Sequence, residues 1–110
     1  MKLIRAESLG ELNTNLSQGE TDLNDLRTRA GIDLLSIASG SQLVNASHLE
    51  RRLEMVFEGD RVHQLKRRGV NGHITEIRNS PWDCAGMVIQ FPNSEGTVQG
   101  FIFNPEGGCN

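Results

Sequence analysis

Tyrosine is absent from this chain, tryptophan occurs once and phenylalanine four times, so aromatics make up only 5% of its 110 residues. With 36% apolar residues in all, the core has to be aliphatic and modest. No window approaches the apolar run that a membrane-spanning helix needs. Cysteine appears only at positions 84 and 109, and no close Cys-x-x-Cys pair is present. Three scattered histidines, His48, His63 and His73, add no ligand spacing that a structural zinc site would use. Repeats, low-complexity segments and long linkers are also missing, which leaves one compact unit as the expectation. No catalytic motif is present either.

Charge is the next bound. The net value of −3 and a pI near 5.5 argue against a surface that tracks nucleic acid throughout. Residues 1–58 carry six Lys/Arg against nine Asp/Glu, whereas residues 59–110 carry five of each. The acidic half is also the half that reads as helical. Residues 2–6 form a short extended candidate. Ser8-Leu9-Gly10-Glu11 has the form of a capping box, and Leu9, Leu12 and Leu16 continue as a short amphipathic helix up to Gly19. Leu23, Leu26, Ala30, Leu34 and Ile37 step by three and four, which predicts one helix from residue 21 or 22 to residue 39. Gly31 sits inside that stripe at a cost of about 1 kcal/mol relative to alanine. A third helix begins at Asn45 or Ser47, with Leu49, Leu53, Val56 and Phe57 on its apolar face and Glu50, Arg51, Arg52 and Glu54 on a solvated one.

From Glu58 onward the pattern changes. Gly59-Asp60 reads as a turn pair. Val62 and Leu65 anchor an otherwise polar strand, and Lys66-Arg67-Arg68 leads into a basic turn at Gly69. Asn71-Gly72 is a hairpin signal, since both residues accept the left-handed conformation of a type I′ turn. His73 to Ile77 resumes as a strand rich in β-branched residues, bulged where Ile74 and Ile77 break the alternation. Residues 78–83 read as a loop, Ala85 to Phe91 as a strand with Met87, Ile89 and Phe91 on one face, and Thr97 to Phe103 as the last strand.

Gly59-Asp60-Arg61-Val62, the turn ending at Gly69, then Gly72-His73-Ile74-Thr75-Glu76-Ile77 and Val88-Ile89-Gln90-Phe91 resemble a small five-stranded barrel of the Tudor-like or KOW-like kind. The nearest likeness is to the C-terminal barrels of bacterial repair helicases, although two residues separate Gly69 from Gly72 where that pattern has one. The resemblance covers residues 58–103. It implies a binding module for nucleic acid, RNA polymerase or another protein, and it implies no enzyme.

The expected fold is therefore α+β: N-terminal helices packed on a C-terminal, strongly bent antiparallel sheet or small β-barrel. One domain spans 1–110, with a helical part at 1–57, a barrel-like part at 58–104 and a loose tail at 105–110. The expected function is a non-enzymatic binding module or adaptor acting on a protein partner or on nucleic-acid machinery. Lys66, Arg67, Arg68, Arg78 and Trp82 are its candidate contacts, cations for phosphates and the indole for stacking on a base. The plainer reading is a solvated turn with Trp82 plugging a barrel end, and one short cluster on an acidic chain favours it. Val88, Phe101 and Phe103 are the candidate interface, for a partner or a second copy, if the helices cover only one sheet face.

The alternative is a small acidic inhibitor or immunity-type protein, with Glu7, Glu11, Glu20, Asp22, Asp25 and Asp33 entering a basic cleft. A nucleophilic site from Cys84, His73 and Asp83 lacks any family spacing and any oxyanion loop, so a structural cysteine is the simpler account. No cofactor or metal is expected. Met1 to Arg5 has no apolar signal region, which points to the cytoplasm, with Cys84 and Cys109 as reduced thiols unless the chain is exported. Ligand, pathway and oligomeric state stay open.

Overall fold

The computed structural model describes residues 1–88, 91–104 and 106–109. Ile89 and Gln90, expected within a strand, and Pro105 and Asn110, expected in the tail, lie outside the described residues. The chain divides into two compact units, Met1–Glu58 and Gly59–Asn110.

The first unit holds three helices, α1 (Lys2–Glu11), α2 (Leu16–Ala30) and α3 (Gly40–Glu54). The expected strand at residues 2–6 is helix, because Leu3, Ala6 and Leu9 place one apolar stripe against the core. Ser8 does not cap a helix: its hydroxyl lies inside α1 and donates to the carbonyl of Ile4 at 2.9 Å. Asn13 and Asn15, both at positive φ, make the break between α1 and α2. Ala6, Leu23 and Leu43, one from each helix, are fully buried, with Leu16, Leu35, Ile37 and Ala46 packed around them. α1 and α3 meet at two glycines. A Cβ on Gly10 would stand 2.9 Å from the carbonyl oxygen of Gly40, and one on Gly40 would overlap that of Gly10. Gly19, expected to end a helix, is instead buried inside α2, where the Leu43 side chain occupies the space of the missing Cβ.

The long helix expected through Ile37 stops at Ala30. Gly31 adopts the left-handed conformation (φ 70°), and the amides of Gly31 and Ile32 close back on Thr28 and Arg27, a standard C-terminal lock. Leu34 and Ile37 keep the helical spacing, yet polar side chains hold this segment in a loop. Asn24 bonds both the amide and the carbonyl of Leu35, at 2.8 and 2.9 Å, and Glu20 accepts from the amide of Ile37 at 2.8 Å. α3 then starts at Gly40, ahead of the expected Asn45 or Ser47. Ser39 accepts from the amide of Gln42 at 3.3 Å, while the Gln42 side chain accepts from the amide of Ala38 at 2.8 Å.

That start rotates the expectation for α3. Leu49, Leu53, Val56 and Phe57 are exposed, and Glu50, assigned to the solvated face, is 3% exposed. Its carboxylate pairs with Arg27 of α2. Two further buried carboxylates follow the same rule: Glu7 meets His48 Nε2 at 2.8 Å, and Asp22 takes two parallel bonds of 2.6 Å from Arg5. The Arg5 hydrogen bond holds the Asp22 carboxyl below the usual carboxylate range, against the opposing effect of burial.

The second unit overturns the expected α+β class. Residues 60–70 form a helix, α4 (Asp60–Val70), where a strand and a basic turn were expected. Gln64, Leu65, Lys66, Arg67 and Arg68 are all good helix formers, and Val62, Leu65 and Gly69 also fit a helical spacing. Asp60 in the first turn and Arg67 and Arg68 in the last suit the helix dipole. Gly72 uses its left-handed freedom (φ 73°) to leave the helix rather than to turn a hairpin. The hairpin comes later. β1 (Glu76–Ile77) pairs antiparallel with β2 (Ser80–Pro81) across Arg78-Asn79, whose φ values of 52° and 64° suit a type I′ turn.

Among the described residues this is the only strand pair, so neither the small β-barrel nor the Tudor-like or KOW-like resemblance stands. Among the described residues of the expected strands at 85–91 and 97–103 there are short 3₁₀ turns, Ala85–Met87 and the end of Asn93–Thr97, and irregular chain. Gly100 at φ 80° interrupts the alternation of the last one.

Candidate functional site

The second unit is built outward from α4. Gly69 lets the Trp82 ring lie directly on the helix, in space that any Cβ there would occupy. The amide of Trp82 donates to Thr75 at 3.2 Å, which ties the hairpin to the same place. Two residues on, Cys84 is joined to Cys109 by a disulfide. Reduced thiols were expected, but the chain folds back so that the two side chains meet across 25 positions of sequence. Lys66 reaches over from α4 and donates to the carbonyl of Met87 at 2.7 Å, holding the 3₁₀ turn.

Beside that turn lies a cavity of about 390 Å³. Ala85, Gly86 and Val88 supply one part of its lining, and Glu106 and Gly107 another. Phe91 and Phe103 add aromatic surface, and Asn93 adds a polar amide. Phe101 orders the two rings: it meets Phe91 edge to face at 5.2 Å and Phe103 at 5.3 Å. The missing Cβ of Gly96 leaves room for the far edge of the Phe103 ring. Such a site offers ring surface, an amide and a carboxylate together. It has no nucleophile with an adjacent base, and no three His, Cys, Asp or Glu side chains among the described residues are grouped as a metal ion would need.

The structure treats the sequence candidates unequally. Val88 and Phe103 come together in the cavity, and Phe101 packs edge to face on Phe103. Lys66 is engaged with Met87, Arg68 is half-buried with its Nε unpartnered, Arg67 is exposed at the end of α4, and Arg78 is exposed in the hairpin turn. Trp82 is half-buried on Gly69. Asn93 and Glu106 were missed, and only their position between turn glycines and phenylalanines could have signalled them. The acidic candidates are largely engaged within the first unit: Glu7 with His48, Asp22 with Arg5, Asp25 with Lys2, and Glu20 with the amide of Ile37.

Comparison with known proteins explains the helical character. A family model described as the SusD family matches residues 1–93. No curated protein and no solved structure matches the chain. Proteins of the SusD family are helical, non-catalytic binding proteins, typically lipoproteins of the outer membrane. The cytoplasmic expectation is thereby overturned, and the disulfide fits the change, since such bonds persist in oxidising extracytoplasmic surroundings. The expectation of a protein partner fits the family, whereas nothing in it points to nucleic acid. With more than four fifths of its length matched, this non-enzymatic binding protein belongs to the SusD family.

Proposed function

We propose that the chain serves nutrient capture at the outer membrane, holding a glycan without cleaving it and acting beside a TonB-dependent transporter. The cavity of the second unit carries the reading, and the family supports it. A sugar ring has apolar faces of C–H groups and a rim of hydroxyls. Phe91 and Phe103 offer flat apolar surface to the faces, while Asn93 and Glu106 offer an amide and a carboxylate to the rim. The volume, about 390 Å³, falls in the range of small-molecule sites, and such sites combine apolar walls with a few placed polar groups.

Titration calorimetry of the disulfide-bonded chain against neutral gluco- and manno-oligosaccharides tests this. At least one should bind, and Phe103→Ala should weaken it by roughly 1 kcal/mol, about fivefold, as loss of an aromatic contact does. If no sugar binds, or if Phe103→Ala binds as the wild type does, the cavity is not the glycan site.

A further inference from the structure

The Cys84–Cys109 disulfide does more than close a loop. It joins two pieces of chain that both line the cavity. Cys84 directly precedes Ala85 and Gly86, and Cys109 follows Glu106 and Gly107 by two residues. The two pieces lie in close contact. A Cβ on Gly86 would stand 2.8 Å from Cys109 Sγ and 3.2 Å from its amide nitrogen, and one on Gly107 would stand 3.4 Å from the Ala85 Cβ. Among the described residues, the Ser80 hydroxyl also donates a hydrogen bond to the Cys109 carbonyl. No helix or strand runs through residues 106–109.

We infer that Cys84 and Cys109 are positioning residues of the glycan site: the bond between them holds the Glu106–Gly107 wall against the Ala85–Gly86 wall, so sugar binding depends on the oxidised state. The inference rests on the glycan reading above. A dithiol reductant supplies the opposing step. One of its thiolates attacks a sulfur of the pair, the S–S bond breaks and frees the other cysteine, and its second thiol then displaces the attacked cysteine from the mixed disulfide as the reductant closes to a cyclic disulfide. Two electrons and two protons pass to the protein, leaving Cys84 and Cys109 as thiols. With the wall released, Glu106 no longer faces the site in a fixed place, and binding has to order it again.

The experiment measures affinity for the tightest oligosaccharide of the panel in four states: oxidised, reduced with dithiothreitol, reoxidised with oxidised glutathione, and as the Cys84→Ser/Cys109→Ser variant. Thiol titration and far-UV circular dichroism accompany each. Reduction should weaken binding on the order of tenfold with the helical signal kept, because a loop ordered in advance binds more tightly than one ordered on binding. Reoxidation should restore the wild type, and the double-serine variant should be weak and indifferent to both reagents. Equal affinity in the oxidised and reduced states would overturn the inference and leave the glycan reading intact. If reduction unfolds the second unit, Glu106→Gln with the disulfide kept decides: a loss of about threefold to tenfold supports the held wall, and an unchanged affinity overturns it. An oxidised wild type that binds no sugar would overturn both readings at once.

Discussion

The two units of this chain reach order by different means. In Met1–Glu58 three helices share one small core, and the carboxylates buried beside it are each matched by Arg5, Arg27 or His48. In Gly59–Asn110 one helix carries a two-strand hairpin, and most of the remaining described chain lacks regular structure, anchored by a disulfide and by aromatic rings set on glycines. Periodic apolar residues can stabilise the first arrangement alone. The second has too few of them, and a covalent link takes over, as it does in small extracytoplasmic folds.

The sharpest way to break the contrast is to remove one core side chain. Leu43→Ala should lower the stability of the helical unit by about 2–5 kcal/mol, read as a shift of the denaturant midpoint in far-UV circular dichroism. A shift well under 1 kcal/mol would mean that the ion pairs, not the core, hold the helices. Reduction of the disulfide is the matching test on the other unit. Closing a loop of 25 positions corresponds to about 3 kcal/mol, so the transition seen by Trp82 fluorescence should move to lower denaturant. Trp82 is the only tryptophan and packs on Gly69 of that unit, so its signal reports there.

Acid should act more gently, and on the first unit. Asp22 is held below its ordinary value of 3.8, chiefly by the Arg5 hydrogen bond. The unfolded chain then binds its proton more readily than the folded one, so the stabilisation is complete above the ordinary value and is lost as pH falls through the lowered one. Asp22→Asn should flatten that part of the pH profile of stability. An unchanged profile would show that another carboxylate governs the acid limb.

Much of the first unit was legible in the residues, with its elements displaced. Leu23 and Leu26 do lie on a helix, but the continuation through Leu34 and Ile37 was misleading. A loop held by Asn24 and Glu20 can present leucine and isoleucine at helical spacing without being helix. Glu50 was misplaced because burial of a carboxylate depends on Arg27, a residue 23 positions away. In the second unit the same residues supported two local structures. Gly72 suits a hairpin turn and a helix exit equally, because both need positive φ. Val62 and Leu65 anchor a strand poorly and a helix face well, and the run from Gln64 to Arg68 should have favoured the helix. The interface candidates Val88 and Phe103 did reach one place, although on irregular chain instead of a sheet.

The residues alone determined that the chain has a modest aliphatic core and an acidic helical first half. Composition, spacing and local backbone preference are enough for those. Tertiary structure decided which helix face turns inward, which carboxylates are buried, that Cys84 meets Cys109, and that Val88, Phe91, Phe103, Asn93 and Glu106 surround one cavity. Each of these depends on contacts between residues far apart in sequence, where desolvation, charge pairing and covalent closure outweigh local preference by more than any short stretch of sequence records.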